Sequence, residues 1–583
     1  MKLRIPLSAV ALALLLGACG SGPDGPSADS LATLVIAPAT AELLIQGTSP
    51  ARQLYTATLV FPDGTTRDVT TETSFIVDSG YGSFTANDLS MGNPGKTAVY
   101  GTFVEKTSSA QVIARLRSVR VDPSLPATAP DWFTGPETAT DAPTMVYPPA
   151  DVVIPRNLGD FETHWTSAGT LDVFEVSLRT EFTDVRVYVP GGNGVAGSGP
   201  NPSWAAFAAT EWMAAVGREN SITYQVRGVT TANPTSVSAA APRRAKLSNG
   251  TMEGGLYYWA SLADAGGATG IFRHDMSKPG EPAEEFMTTN QTGGRCVACH
   301  VLSRDGEKMA LVYDGGNGPG TIVDVATSAT LPSTGNWNFG TFTPDSSQYL
   351  SVLEGALVVR DAATLTVLAT MPSAGQVSHP DMSPDGTQLA YVGTGTRNTD
   401  FLFGGGQIFT RSYDAVTQAF GAEVPLVTDG PNNFYPSWSP DGQWIVFNRS
   451  DDGTATGAYD DVNAQVWIIK ADGSVPAFEL STANQGLGLT NSWARWAPFE
   501  STTGATNEKL YWITVSSKRD FGTRLLNTGL AEGAKFPQLW MTAFYPGRVG
   551  TADPGSPAFR LPFQGLTTRN HIGQWTERVI VVQ

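Results

Sequence analysis

The sequence predicts an all-β protein, and three observations carry that expectation. Gly (62) and Pro (39) are abundant among the 583 residues, while charged residues make up only 16%. Helical periodicity is scarce, and short runs alternating apolar with polar residues, broken by Gly, Asp, Asn and Pro, take its place. A turn motif recurs in the second half: Ser303-Arg304-Asp305-Gly306, Thr343-Pro344-Asp345, Ser383-Pro384-Asp385-Gly386 and Ser439-Pro440-Asp441-Gly442. A chain of this length outgrows a single core, so several domains are expected.

The first residues read as an export signal. Lys2 and Arg4 precede an apolar run, Leu7 to Leu16, which is too short for a membrane span and ends in small residues. Leu16-Gly17-Ala18-Cys19 resembles the lipobox of bacterial lipoproteins. The resemblance implies a signal peptide over 1–18, cleavage before Cys19 and acylation of that residue; an ordinary secretory signal with a chance Cys is the alternative. Loss of Lys2 and Arg4 takes the formal charge from -17 to -19. Gly20 rather than Asp after the Cys favours, by analogy, the outer membrane. The implied protein is lipid-anchored in the cell envelope, facing the periplasm or the surface. Its acidity argues against a nucleic-acid partner.

Residues 19–30 form a Gly/Ser/Pro tether. Over 31–117, strand-like runs at Ala32–Ile36, Gln53–Phe61, Ser74–Val77, Lys96–Phe103 and Gln111–Arg115 are punctuated by a Pro62-Asp63-Gly64 turn. Phe61-Pro62-Asp63-Gly64-Thr65-Thr66 followed by Asp68-Val69-Thr70 resembles bacterial Ig-like domains, which implies a spacer or adhesion unit. Residues 118–144 read as a stiff Pro-rich linker. Over 145–232, runs at Leu171–Leu178, Thr183–Val189 and Ser221–Val229, with Trp165, Trp204 and Trp212 as core anchors, resemble an Ig or fibronectin-type sandwich.

From 245 to 583 the repeat governs. The Asp positions 305, 345, 385 and 441 stand 40, 40 and 56 residues apart, each followed by an apolar strand. In each turn Pro presets the backbone, Asp caps backbone donors and Gly takes the positive-φ corner. Tyr435-Pro436-Ser437-Trp438-Ser439-Pro440-Asp441-Gly442 resembles the repeat of TolB-type, WD-repeat-like propellers. A fifth copy is degenerate (Trp493 to Pro498). A sixth is split, its inner strand running from Gln574-Trp575 through Arg578–Val582 and its outer strands at Gly255–Ser261, Gly270–Asp275 and Glu285–Thr288. Pairing the two ends closes the ring without exposed edges. The expected architecture is a six-bladed β-propeller preceded by two Ig-like β-sandwich domains.

The chemistry concentrates at Cys296-x-x-Cys299-His300. This spacing is the attachment pattern of a c-type haem, with two thiols to take up vinyl groups and an adjacent His as proximal iron ligand. A disulfide and a thiolate–imidazole metal site are the alternatives; a thioredoxin-like context is missing. The only other cysteine is Cys19. Aligned on the turn, Cys299 falls where Phe339, His379, Tyr435, Trp493 and Ile572 fall, the position that begins an innermost strand at the channel mouth. His379 is the first candidate for a distal haem ligand, His571 the second and Met287 a third. Asp451-Asp452-Gly453 to Asp460-Asp461 is acidic enough to hold Ca2+, although a solvated loop accounts for it as well. Trp493, Trp496 and Tyr435 could form an aromatic platform, with Trp438 and Trp496 at positions that pack between blades. No Gly-x-Ser-x-Gly, phosphate-loop or His-Glu-x-x-His motif occurs.

Two functions follow as expectations. The first is a monohaem c-type cytochrome on a propeller scaffold, with haem c on Cys296, Cys299 and His300, passing electrons to a partner at the propeller mouth. The alternative is a haem-free scaffold that binds a protein or ligand at that mouth.

Overall fold

A computed structural model describes residues 31–577, apart from 233, 235, 263–267, 398, 451–455 and 487. The expected signal peptide, the tether with Cys19, Asp451 to Gly453 of the acidic loop, and Arg578–Val582 therefore lie outside the described residues. The fold is almost entirely β, as the sequence predicts, with one α-helix, Ala209–Val216, among the described residues. The chain divides into two compact units. One comprises the residues to Ile45 with Ser49–Ala114; the other comprises Gln46–Thr48 with Arg115 onward.

In the first unit, Thr33–Ala37, Thr56–Val60 and Thr66–Asp68 form one antiparallel sheet, and Ala51–Leu54, Asp88–Met91 and Gly82–Thr85 form another. The run read as one strand over Gln53–Phe61 is two strands in different sheets. The break falls at Tyr55, whose ring is fully buried against Phe75 and Phe84. The Pro62-Asp63-Gly64 turn forms as expected: Gly64 has φ +84°, and Asp63 Oδ1 accepts the Thr65 amide at 2.9 Å.

The second unit begins with the C-terminal part of the strand Lys106–Val121, which runs parallel to Thr183–Pro190. That strand is followed across the sheet by Val173–Arg179 and Ser221–Val229. A smaller sheet holds Thr144–Tyr147, Phe161–Thr166 and Ser203–Phe207. Trp165 and Trp212 are fully buried, Trp212 stacking on Phe161 at 4.5 Å. Trp204 is not a core anchor: it is half-buried, with the Arg524 guanidinium over its ring at 3.7 Å. The segment read as a stiff Pro-rich linker is packed. Its 3₁₀ turn Ala129–Phe133 buries Phe133 against Tyr188, and Glu137–Thr138 pairs with Val237–Ser238. Proline spacing signals stiffness; it does not tell whether the stiff segment docks.

Among the described residues six antiparallel sheets of four principal strands follow, besides the short pair Thr396–Arg397 and Phe403–Gly404. From the innermost strand outward, the first contains Thr568–Thr576, Gly255–Leu262, Gly270–Asp275 and Glu284–Thr288. The second starts with Val297–Leu302, the third with Gly340–Phe342, the fourth with Val377–Met382, the fifth with Asn432–Trp438 and the sixth with Ser492–Thr503. Each innermost strand packs on the next, and the sixth packs on Thr568–Thr576, which closes the circle of a propeller. The two ends of the propeller segment pair as the sequence suggests, and the described closing strand, Thr568–Thr576, begins upstream of the expected Gln574.

The repeated turn explains the regularity. In the second sheet the Ser303 hydroxyl donates to Asp305 Oδ1 at 2.6 Å and accepts the Lys308 amide at 2.9 Å, while Asp305 takes the Glu307 amide at 3.0 Å. Ser383/Asp385 and Ser439/Asp441 repeat the geometry, with Gly306, Gly386 and Gly442 at φ +66° to +75°. The second copy, in the third sheet, lacks the glycine, and Ser346 adopts φ +57° in its place.

Candidate functional site

The innermost strands share one irregularity, and it builds the channel. In five sheets two residues oppose one on the neighbouring strand: 298–299, 379–380, 435–436, 493–494 and 572–573. Such bulges re-aim side chains. His379, Tyr435, Trp493 and Ile572, all aligned with Cys299 in the sequence, have φ of +46°, +53°, +47° and +58°. Branched and bulky residues rarely adopt this region, and strain of this kind clusters at functional sites. The repetition turns these side chains toward the channel axis.

They form a continuous aromatic collar. Trp259 lies 4.5 Å from His571, His571 5.1 Å from Tyr459 and 5.2 Å from Trp493, Trp493 4.9 Å from Tyr435, Tyr435 4.1 Å from His379, and His379 4.4 Å from Phe339, measured between ring centroids. Tyr459 is held from behind by Lys518, whose ammonium sits 3.8 Å from its ring and bonds Asp460 and Glu532. The collar surrounds a cavity of about 280 Å³. Below it a space of about 20 Å³ is lined by Cys299, His300, Asn338, His379 and Arg495.

Polar groups in this deeper space are sparsely satisfied. His379 Nδ1 accepts the Tyr435 amide at 3.2 Å, leaving Nε2 without a partner. Asn338 Oδ1 accepts the Cys299 thiol at 3.4 Å, leaving Nδ2 without one. Neither ring nitrogen of His300 meets a partner in hydrogen-bonding geometry. Burial holds the histidines neutral at pH 7: His300 is brought down to about 4, His571 to about 3, and His379 well below the ordinary value, with the Arg495 charge adding to the effect there. Burial also lifts Asp381, against the opposing pull of Arg495.

The expected haem ligands are distributed as follows. Cys299, His300, His379 and His571 all line the channel. Cys296 is exposed and outside both cavities, and Met287 packs in an outer cluster with Phe286 and Leu311. A haem attached through this motif needs both sulfurs and the imidazole on one side of the chain. The strand Val297–Leu302 turns Cys299 and His300 to different faces, although both border the same small space, and it leaves Cys296 outside that space. His300 pairs opposite Leu311, on the face that packs with Tyr257 and Met309, whereas Cys299 packs beside Val301 against Trp337 and Tyr349 on the other face. The residues as arranged do not fit a covalently held haem.

The alternatives fare no better here. Cys296 and Cys299 are free thiols, not a disulfide. Burial pushes Cys299 up to about 12, and burial with the Asp314 charge raises Cys296, so neither is a thiolate nucleophile at neutral pH. Among the described residues no group of three or more His, Cys, Asp or Glu is arranged to hold a metal ion. Of the acidic loop, Asp460 pairs with Lys518, and Asp461 accepts from the Ser450 hydroxyl and the Asn463 amide. Trp493 and Tyr435 belong to the platform the sequence suggested. Trp438 and Trp496 are buried between blades, their indole N–H groups bonding the carbonyls of Asp381 and Ser437. Sequence reasoning missed Trp259, Tyr459 and Asn338. Asn338 immediately precedes an aligned position; nothing local marks the other two.

No protein-family model and no curated protein matches this chain. Solved structures with a likeness to it include TolB from Acinetobacter baumannii (13% identity, 61% of this chain and 79% of that one, TM-score 0.37). A TolB of Agrobacterium tumefaciens gives 14% identity, 56% and 99% coverage and a TM-score of 0.31. The Kuenenia stuttgartiensis hydrazine synthase gives 16%, 46% and 66%, and 0.30.

Proposed function

We propose that the protein is a binding scaffold of the bacterial cell envelope, tethered through acylated Cys19, whose six-bladed propeller takes up a small apolar ligand at the channel mouth. The sequence supports the location through its export signal and lipobox-like Leu16-Gly17-Ala18-Cys19. The observation that carries the binding reading is the aromatic collar around the 280 Å³ cavity. A preformed concave space with apolar walls and few polar groups is the usual form of a small-molecule site. The backbone strain repeated in four blades supplies a reason for its existence, since packing alone does not call for left-handed Tyr435 and Trp493.

Indole fluorescence tests this directly. In the full chain carrying Cys19→Ser, which prevents acylation, fused-ring aromatic compounds are expected to alter emission and raise the melting temperature. Trp493→Ala should weaken binding at least about tenfold, and Trp493→Phe should retain most of it. Absence of any response across a panel of neutral, anionic and cationic aromatics contradicts the reading.

The Cys296-x-x-Cys299-His300 sequence favours a second reading, the monohaem cytochrome. Production in an exporting host with cytochrome-maturation genes, followed by haem staining of a denaturing gel, separates the two. The strand geometry leads us to expect no stained band. A band abolished by Cys296→Ala with Cys299→Ala would establish the cytochrome and require the strand Val297–Leu302 to be rebuilt.

A further inference from the structure

We propose that the channel mouth recognises a neutral, planar molecule of about two fused rings that carries a hydrogen-bond acceptor oxygen, a carbonyl, directed down the channel. This deepens the reading of the mouth as a ligand site and rests on it. Size comes first. An engineered cavity of about 150 Å³ accommodates benzene; the collar encloses about 280 Å³, room for a second fused ring. The rings around it, from Trp259 to Phe339, suit stacking and edge contacts with a flat ligand.

The polarity of the floor decides the functional group. Asn338 is 2% exposed and His379 3% exposed, and both line the small space beneath the collar. Because Asn338 Oδ1 already accepts from Cys299, its free end is the donating NH2. Because His379 Nδ1 already accepts the Tyr435 amide, the neutral ring carries its proton on the unpartnered Nε2. Two buried donors therefore line this space with no protein acceptor bonded to them, beside His300, whose neutral ring offers one donor and one acceptor nitrogen. Buried donors are rarely left so in folded proteins, and a water or a ligand atom ordinarily satisfies them. The space beneath the collar, about 20 Å³, holds one oxygen, not a carboxylate or phosphate.

Arg495 also lines this floor, its guanidinium donating to the Ala494 carbonyl at 3.2 Å. Size, not charge, excludes an anionic head here, and a neutral carbonyl fits both the space and the donors.

Three probes of matched size test the proposal by calorimetry on the Cys19→Ser chain: chromone, with one carbonyl; naphthalene, with no acceptor; and 1-naphthoate. Chromone is expected to bind at least about tenfold more tightly than naphthalene, because the hydrocarbon leaves the donors unpaired. Asn338→Leu should reduce chromone to the naphthalene level and leave naphthalene within about threefold, a pattern that misfolding would not give. Equal binding of chromone and naphthalene overturns the acceptor inference and leaves the ligand site standing. Tightest binding by 1-naphthoate overturns the neutral class. Binding by none of the three removes the ligand site itself.

Discussion

Acidification from pH 7 to 4 is expected to unfold the second compact unit. All five histidines of the chain (164, 274, 300, 379 and 571) lie in that unit. Burial depresses each of them: His274 and His300 to about 4, His571 to about 3, His379 well below the ordinary value, and His164 below it despite the opposing Glu162 carboxylate. An unfolded chain protonates these rings near pH 6.5, whereas the folded protein keeps them neutral to much lower pH. Between those limits the unfolded state binds more protons, so stability rises with pH. The contribution is complete above about 6.5 and is lost as pH falls toward 4. Each ring fully in that window takes away about 1.4 kcal/mol per pH unit, against a total stability typically of 5–15 kcal/mol. The turn aspartates add nothing in this range. Asp305, Asp345 and Asp385 are held below the ordinary carboxylate value, so their loss comes later. Melting temperatures from pH 8 to 4 check this. A flat profile between 7 and 5 contradicts it, and His274→Phe, which keeps the ring stacked on Phe563 but removes a proton site, should shift the transition to lower pH.

Glu162→Leu is expected to cost about 3–5 kcal/mol, because it removes one partner of a buried charge network. Thr523 donates its amide to His164 Nδ1 at 3.3 Å, so the imidazole carries its proton on Nε2 and gives it to Glu162 at 2.9 Å. Arg524 reaches the same carboxylate at 2.7 Å. Burial raises Glu162, but the His164 bond and the charges of Arg524 and Arg560 outweigh it and hold the group well below the usual carboxylate range. Arg560 is itself buried, with its pKa lowered to about 10 by burial, and depends on that negative charge. Without it a guanidinium and an imidazole N–H lose their counterpart in a dry interior. The network ties the strand Phe161–Thr166 to the segment around Phe521–Arg524, so the loss should appear as lower cooperativity between the sheet holding Phe161–Thr166 and the ring. Denaturant unfolding measures it. A change under about 0.5 kcal/mol contradicts the role, and Arg524→Leu added to Glu162→Leu should recover part of the loss.

The extent to which these features could be read beforehand follows the range of the forces behind them. The Ser-x-Asp-Gly turn is local: its hydroxyl, carboxylate and glycine act within five residues, so four sheets of the ring declared themselves. The pairing of Thr568–Thr576 with Gly255–Leu262 is set by a partner some three hundred residues away, and the edges of that strand came out displaced. Trp204 and the linker over 118–144 were misjudged for the same reason, since covering by Arg524 or docking of Phe133 on Tyr188 is tertiary. At the mouth, the alignment brought Cys299, His379, Tyr435 and Trp493 to one level, because a repeat fixes depth along the channel. Spacing could not tell on which side of a strand each residue falls. Cys299 and His300 are adjacent in sequence and point to opposite faces, and that alternation, absent from the haem pattern, separates a motif from a ligand set.

The circle closed by Thr568–Thr576 has a consequence for the order of events in the cell. This strand is made after every other strand of the ring, and it carries His571 and Ile572 into the collar. A nascent chain that has not yet reached Thr568 therefore holds five sheets and the three outer strands of the first, but lacks the residues that complete the collar. Completion of the ring and formation of the 280 Å³ cavity are one step, because His571 and Ile572 line that cavity.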